Sequence, residues 1–124
     1  MKKNAFWLTT SLLALLILGP RVSVNAEELI RVIRYLLDYV KHSQVVFIRN
    51  NKEHTAGEAE DHMRKKYEHF KDQIKTPEDF IKFAGTKSLL SGRPYRVKLN
   101  DGTTMPSQKW LESVLADYRS KNGG

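Results

Sequence analysis

The sequence contains no cysteine, and this absence excludes two covalent features of small exported proteins, the disulfide bond and the lipid anchor. No disulfide can hold the chain together in an oxidising compartment, and no lipid can be attached to an N-terminal cysteine. The length of 124 residues is also short for two domains, so we expect one folded domain. Stability must therefore come from a buried apolar core, which a chain of this size supplies without much margin.

The first 26 residues have the order of a secretory signal peptide. Two lysines precede an apolar run over residues 5–18, Gly19 and Pro20 then break any helix, and residues 24–26 read VNA. The run of about 14 apolar residues is shorter than the roughly 20 that a membrane span needs. We predict export by the general secretion route and cleavage after Ala26, which leaves a periplasmic or secreted protein. An uncleaved anchor is the alternative.

Cleavage would leave residues 27–124 as a single domain with little excess charge. The leader carries three basic residues and no acidic ones, so its removal lowers the net charge from +7 to +4. An exported chain seldom meets nucleic acid, and we expect none as a partner. A weak preference for anionic surfaces or polymers is compatible with the charge. We expect no stable membrane span after cleavage and no cofactor.

Four segments of the mature chain show helix patterns. Apolar residues at three- and four-residue steps predict a helix over Glu27–Ser43, and a capping box of Thr55 and Glu58 predicts one running to about Gln73. Thr76 with Pro77 begins a short third helix that Gly85 ends, and Ser107 is predicted to cap the last one. The predicted inner faces are Leu29, Ile33, Leu36, Leu37 and Val40; Ala59, Met63, Tyr67, Phe70 and Ile74; Phe80, Phe83 and Ala84; and Trp110, Leu111, Val114, Leu115 and Tyr118.

Strand patterns lie between these helices. The β-branched and aromatic stretch Val45–Arg49 predicts a short buried strand, followed by a turn at NNKEH. Tyr95–Leu99 alternates as a half-buried strand does, NDG supplies a tight turn, and Thr103–Met105 is the predicted returning strand. Residues 85–94 are a loop by composition. The predicted fold class is α+β, with three to four helices packed on a small antiparallel sheet in a single domain.

Three segments together resemble an uncharacterised family of small exported bacterial proteins, a domain of unknown function. They are FIRNNKEHTAGEAEDHMRKKY, TPEDFIKFAGTKSLLSGRPYRVKL and PSQKWLESVL, and they cover nearly all of the mature chain. The resemblance implies an α+β envelope protein and carries no activity. Relatives often have cysteines at the positions of Val45 and Leu99. If those cysteines pair, the resemblance implies that these two residues are neighbours here.

The histidines suggest two kinds of chemistry. At 100° per residue, Glu58, His62 and His69 lie on one edge of the second predicted helix, with Lys66 nearby. We expect His62 at the boundary of the core, paired with Glu58 four residues earlier. A metal site is disfavoured because His54, His62 and His69 lack zinc-ligand spacing, and we predict none. An oriented histidine base acting with a loop serine, as in a small hydrolase or transferase, is the alternative function.

Binding without catalysis is the leading hypothesis. Cations, hydroxyls and backbone N–H groups around residues 86–95 suit an anionic group such as a carboxylate or phosphate. The partner would be an envelope protein or an anionic polymer. The simpler interpretation is that Arg49 and Arg93 pair with Glu53, Glu58 or Asp79. The candidate ligand-binding residues are Arg49, His54, Glu58, His62, Lys66, Ser88, Ser91, Arg93 and Tyr95.

Overall fold

The computed structural model describes residues 25–123, so nearly all of the predicted signal peptide lies outside the described residues. Within this range, four α-helices pack with a four-stranded antiparallel sheet, which confirms the α+β prediction. None of these helices is long and apolar enough to cross a membrane. In chain order the elements are α1 (Ala26–His42), β1 (Val46–Arg49), β2 (Lys52–His54), α2 (Ala56–His69), a 3-10 turn (Lys71–Gln73), α3 (Pro77–Ala84), β3 (Arg96–Lys98), β4 (Thr104–Pro106) and α4 (Ser107–Lys121).

The sheet has the strand order β2-β1-β3-β4, so β1 and β3 are its central strands. Phe47 lies opposite Val97 in this pair, and both side chains are buried. Val46 pairs with Lys98, and one further step of the same register sets Val45 opposite Leu99. Val45 is buried and Leu99 packs against the core. This is the adjacency that the family resemblance implied, and here the two positions form an apolar pair.

The prediction of one turn over NNKEH is wrong at its second half, where Lys52–His54 forms the edge strand β2. Only two residues connect the strands, since Arg49 pairs with Lys52. Asn50 and Asn51 have φ angles of 52° and 64°. Positive φ at both positions is the geometry of a type I′ hairpin, which matches the twist of the flanking strands and favours asparagine.

The helix starts follow the sequence closely. Thr55 and Glu58 form a complete capping box at α2, and Thr76 and Asp79 form a second one at α3. The predicted end of α2 at Gln73 is wrong, because the α-helix ends at His69 and a 3-10 turn follows. That tighter turn carries Ile74 into the core.

The start of α4 also differs from the prediction. Pro106, not Ser107, occupies the capping position, and no side chain caps the helix. The backbone N–H of Ser107 donates to the carbonyl of Tyr95 at 2.8 Å. The Ser107 hydroxyl is fully buried and has no hydrogen-bond partner among the described residues. Packing of α4 against the segment that enters β3 has thus replaced a side-chain cap.

The core is one cluster of buried side chains from all four helices and from the central strands β1 and β3. The inner face of α1 is wider than predicted, because Val32 is also buried. The most completely buried apolar side chains, each 0% exposed, are Leu36, Val40, Phe80, Ala84, Val97 and Leu111.

Candidate functional site

Tyr95, just before β3, is the centre of a polar network on one side of the sheet. Its side chain is only 5% exposed. Its hydroxyl lies 3.0 Å from Nε2 of His62 and 3.0 Å from Nζ of Lys66. His62 and Lys66 are four residues apart on α2, so they lie one turn apart on the same helix face. The capping box that fixes the start of α2 therefore also sets which residues of that helix reach Tyr95.

The chemistry of the three groups fixes the direction of the hydrogen bonds. A lysine ammonium can only donate, so the Tyr95 oxygen accepts from Lys66. The tyrosine proton is then free to be donated to Nε2 of His62, which must be the unprotonated nitrogen of a neutral ring. Lys66 also donates to the backbone carbonyl of Lys87 at 2.8 Å. Its ammonium lies 4.9 Å from the centre of the Tyr95 ring, within range of a cation–π contact.

The unusual feature of this network is a buried cation without a carboxylate. Lys66 is 7% exposed, and no ion pair in residues 25–123 includes it. Arg49 lines the same cleft and also lacks a recorded acidic partner there. A buried charge is costly unless it is paired. The cleft thus holds two cations that the described residues do not neutralise.

The pKa values show the effect of that arrangement. Burial, together with the charge of Arg49, lowers the pKa of Lys66 to about 8. Burial, and then the charges of Arg49 and Lys66, lowers the pKa of His62 to about 4. Burial raises the pKa of the Tyr95 hydroxyl, against a smaller opposing effect of Arg49. Near neutral pH the site therefore contains a neutral histidine, a neutral tyrosine and two cations.

The acids that were expected to pair with the arginines are engaged elsewhere, so those predicted pairings are wrong. Glu53 accepts from Lys98 at 2.6 Å. Glu58 accepts from the backbone N–H of Thr55 at 2.9 Å. Asp79 accepts from the backbone N–H groups of residues 75 and 76 at the start of α3. The three carboxylates therefore form a cross-strand ion pair or cap a helix, and none of them pairs with Arg49 or Arg93.

The predicted pairing of His62 with Glu58 is wrong for the same reason. His62 is half-buried, as its boundary position predicted, but its Nε2 is bonded to Tyr95. Glu58 caps α2, and its nearest histidine is His54, whose Nδ1 lies 3.8 Å from the carboxylate. His69 packs edge-on against Phe70, with ring centres 4.7 Å apart. The three histidines thus have three different environments, and the described residues contain no metal-binding cluster.

Two concave surfaces meet at this network, and both are open to solvent on one side. We call the first the loop cleft; it has a volume of about 510 Å³, and its lining includes Ser88. The second, the strand pocket, has a volume of about 340 Å³ and includes His54 and Glu58. Arg49, His62 and Tyr95 line both surfaces. Seven of the nine predicted site residues therefore surround one connected depression, namely Arg49, His54, Glu58, His62, Lys66, Ser88 and Tyr95.

The remaining two candidates, Ser91 and Arg93, lie on the loop that forms the outer wall. The Ser91 hydroxyl donates to the side-chain oxygen of Asn50 at 2.5 Å. Asn50 in turn donates to the Ser88 hydroxyl at 3.4 Å. The Arg93 side chain is exposed, and the structure places it outside both concave surfaces. Hydrogen bonds between Asn50 and the hydroxyls of Ser88 and Ser91 thus connect this loop to the β1–β2 turn.

Sequence reasoning missed Asn50 and Lys87. Asn50 was assigned only to a turn, yet its side chain joins that turn to the loop. The backbone carbonyl of Lys87 accepts a hydrogen bond from the Lys66 ammonium. A contact of this kind cannot be predicted from residue type, because every residue has a backbone carbonyl. The one available signal was Lys66 itself, a lysine one turn after His62 on the same face of α2.

Comparison with known proteins places the chain among uncharacterised relatives. Residues 27–119 match the profile of a family of unknown function, DUF5329. The uncharacterised protein YfeK of Salmonella typhimurium is 33% identical over 81 residues, which are 65% of this chain and 68% of the relative. No solved structure matches. These findings confirm the resemblance to an uncharacterised family, and they assign no activity.

Proposed function

The chain belongs to the family of unknown function DUF5329, and because that membership assigns no activity, we propose a function from the geometry of the loop cleft. The protein is a non-catalytic binding module of the bacterial envelope, and its cleft receives one anionic group, a carboxylate or a phosphate, carried by a partner protein or polymer. The observation that carries this proposal is the buried ammonium of Lys66, 7% exposed and without a carboxylate among the described residues.

An anion between Lys66 and Arg49 would supply the missing countercharge. It would accept charge-assisted hydrogen bonds from both groups, and such bonds are roughly twice as strong as neutral ones. The cleft is already shaped for this, because Lys66 is held by Tyr95 and by the carbonyl of Lys87 before any ligand arrives. Little side-chain freedom would then be lost on binding.

Export belongs to this proposal as well. Its support is the order of features in residues 1–26, and the family match begins at residue 27, where the predicted mature chain begins. Whole-protein mass spectrometry of native material tests it. A mass that still includes residues 1–26, in material recovered from the cytosol, would contradict export.

The hydrolase alternative receives no support from the contacts. The Nε2 atom of His62, which would have to take a proton from a nucleophile, already accepts from Tyr95. Ser88 and Ser91 are bonded to Asn50, and Glu58 does not orient the histidine. The cleft also opens to solvent, so it does not exclude water as catalytic sites commonly do.

The binding test is a titration of the protein with acetate and with inorganic phosphate, followed by NMR of the His62 ring and by calorimetry. We expect the bound anion to raise the pKa of His62 above about 4, since a nearby negative charge favours the protonated ring. Arg49→Gln should weaken binding about tenfold or more, the effect of losing a charged hydrogen bond. Affinity should fall as the pH rises through about 8, where Lys66 loses its proton.

The matched control is Arg64→Gln. It removes the same charge from an arginine that is exposed and bonded to Glu60 at 3.0 Å, away from the loop cleft. Equal weakening in Arg49→Gln and Arg64→Gln would show that the anion responds only to net charge, and unchanged binding in Arg49→Gln would show that Arg49 does not hold the anion; either result would refute the proposed site.

A further inference from the structure

The most exposed apolar side chains in residues 25–123 lie next to each other at the tip of the loop. Leu90 is 96% exposed and Leu89 is 64% exposed. Single exposed leucines are ordinary, but two adjacent ones on a loop form a small apolar surface. We use the name leucine tip for Leu89 and Leu90.

The leucine tip is held in place by the backbone behind it. Ser88 donates its N–H to the carbonyl of Arg93 at 3.0 Å and accepts from the N–H of Gly92 at 2.9 Å. Gly92 has a φ of +73°, a conformation that glycine adopts without steric cost. Below this turn, Lys87 and Pro94 form a β-bridge. The leucines therefore project from a hydrogen-bonded support, and their exposure does not come from a frayed segment.

The charges around the leucine tip are of one sign. Residues 85–94 contain no aspartate or glutamate, while Lys87 and Arg93 stand on either side of the tip. Both side chains are exposed, and neither takes part in an ion pair recorded for residues 25–123. Two leucines between two cations are complementary to a surface with negative groups at its outer layer and apolar groups beneath them.

We infer that the leucine tip docks on an anionic lipid bilayer. Leu89 and Leu90 enter the boundary between headgroups and acyl chains, and Lys87 and Arg93 stay among the phosphates, with their alkyl stems along the apolar boundary. Each cation near an anionic surface contributes about fivefold in affinity, and each leucine removed from water contributes roughly tenfold or more. Contact of this kind is reversible and adds no membrane-spanning segment.

The small apolar area of the tip favours a bilayer over an apolar site on a protein. A protein partner would need a matching pocket, and protein interfaces are usually extended surfaces with a well-packed centre. Two exposed leucines offer little area for such packing, whereas a bilayer accepts them without a preformed pocket. Leu89 and Leu90 also line the loop cleft, so lipid docking and anion binding share one wall. Vesicle partitioning and anion titration are separate measurements, so either proposal can fail while the other holds.

Absence of cysteine makes a position-specific test possible. In the exported full-length protein, Leu90→Cys carries one environment-sensitive fluorophore, and Ile30→Cys carries the same fluorophore on an exposed residue of α1. Vesicles of phosphatidylglycerol mixed with phosphatidylcholine should shift the emission at position 90 to the blue and leave position 30 unchanged. Pure phosphatidylcholine vesicles should give a much smaller shift. No shift at position 90, or equal shifts at both positions, would overturn the inference.

Sedimentation of unlabelled protein with the same vesicles provides the second measurement. Leu89→Ser with Leu90→Ser should lower partitioning by about a hundredfold or more, and Lys87→Gln with Arg93→Gln should lower it by about 25-fold on the anionic vesicles only. Lys71→Gln with Lys75→Gln removes two exposed charges elsewhere and should have little effect. All variants share the same N-terminal segment, so differences between them report on the tip. Equal partitioning of all variants would refute lipid docking and leave a protein as the occupant of the tip.

Discussion

The helical core and the loop cleft bury side chains according to opposite rules. In the core, Leu36, Phe80 and Leu111 are fully buried hydrocarbon. Charged side chains of the surrounding helices form ion pairs at the surface, such as Arg119 with Glu78. In the cleft, a lysine and a tyrosine are buried to nearly the same degree, and no acid neutralises the lysine. The core is arranged for stability, while the cleft retains a buried ammonium without a countercharge among the described residues.

The largest effect should come from a cavity in the core. Phe80→Ala removes a ring that is 0% exposed and lies 6.0 Å from the Tyr67 ring centre. We expect the free energy of unfolding to fall by about 3–5 kcal/mol, from lost burial and an unfilled cavity. Urea denaturation followed by circular dichroism measures it. Leu90→Ala is the control, because a side chain that is 96% exposed should change stability by less than about 0.5 kcal/mol. Equal losses in the two variants would mean that the packing around Phe80 is not as described.

A change of opposite sign is expected in the cleft. Lys66→Met replaces the buried ammonium by an apolar chain of similar length. Because burial lowers the pKa of Lys66, the unfolded chain holds that proton at a higher pH than the folded one does. Wild-type stability should therefore rise between pH 8 and about 10.5 with a slope of up to about 1.4 kcal/mol per pH unit, and be independent of this group below pH 8. The variant lacks this slope and should be at least as stable as the wild type at neutral pH, while losing the anion.

Urea denaturation at a series of pH values gives the comparison, with Lys65→Met as the control. Lys65 precedes Lys66 on α2, is exposed and pairs with Asp61 at 3.1 Å. A wild-type profile that parallels the Lys66→Met profile above pH 8 would show that Lys66 has an ordinary pKa. A stable Lys66→Met variant that still binds the anion would show that the Lys66 ammonium is not needed for the proposed anion binding.

The same contrast explains which parts of the molecule the sequence could predict. Core positions follow from the helical period and the caps, both of which are local, so the inner-face residues named from the sequence, the capping box of α2 and the Thr76 cap of α3 were predicted correctly. The cleft depends on contacts between distant positions. His62 and Tyr95 are 33 residues apart, and periodicity placed His62 at a boundary without naming its partner.

The errors arise where another contact, tertiary or local, uses the group that the sequence pattern had assigned elsewhere. Ser107 has the residue type of a cap, but its N–H is taken by the carbonyl of Tyr95 and its hydroxyl is buried. Glu58 is four residues from His62, yet the capping box uses the carboxylate. Edge strand β2 has no apolar pattern, since Lys52 and Glu53 are exposed, so register with β1 alone defines it.

The smallest expected effect tests whether the β1–β2 turn supports the cleft. Asn50 and Asn51 both have positive φ, which glycine also adopts, so glycine at either position keeps the type I′ turn. Asn50→Gly additionally removes the two side-chain bonds to Ser88 and Ser91. We expect it to lower the free energy of unfolding by about 1 kcal/mol and to weaken anion binding, because the outer wall loses its attachment. Asn51→Gly should change either quantity little. Denaturation and anion titration of both variants measure the difference, and identical behaviour would mean that the loop keeps its place without Asn50.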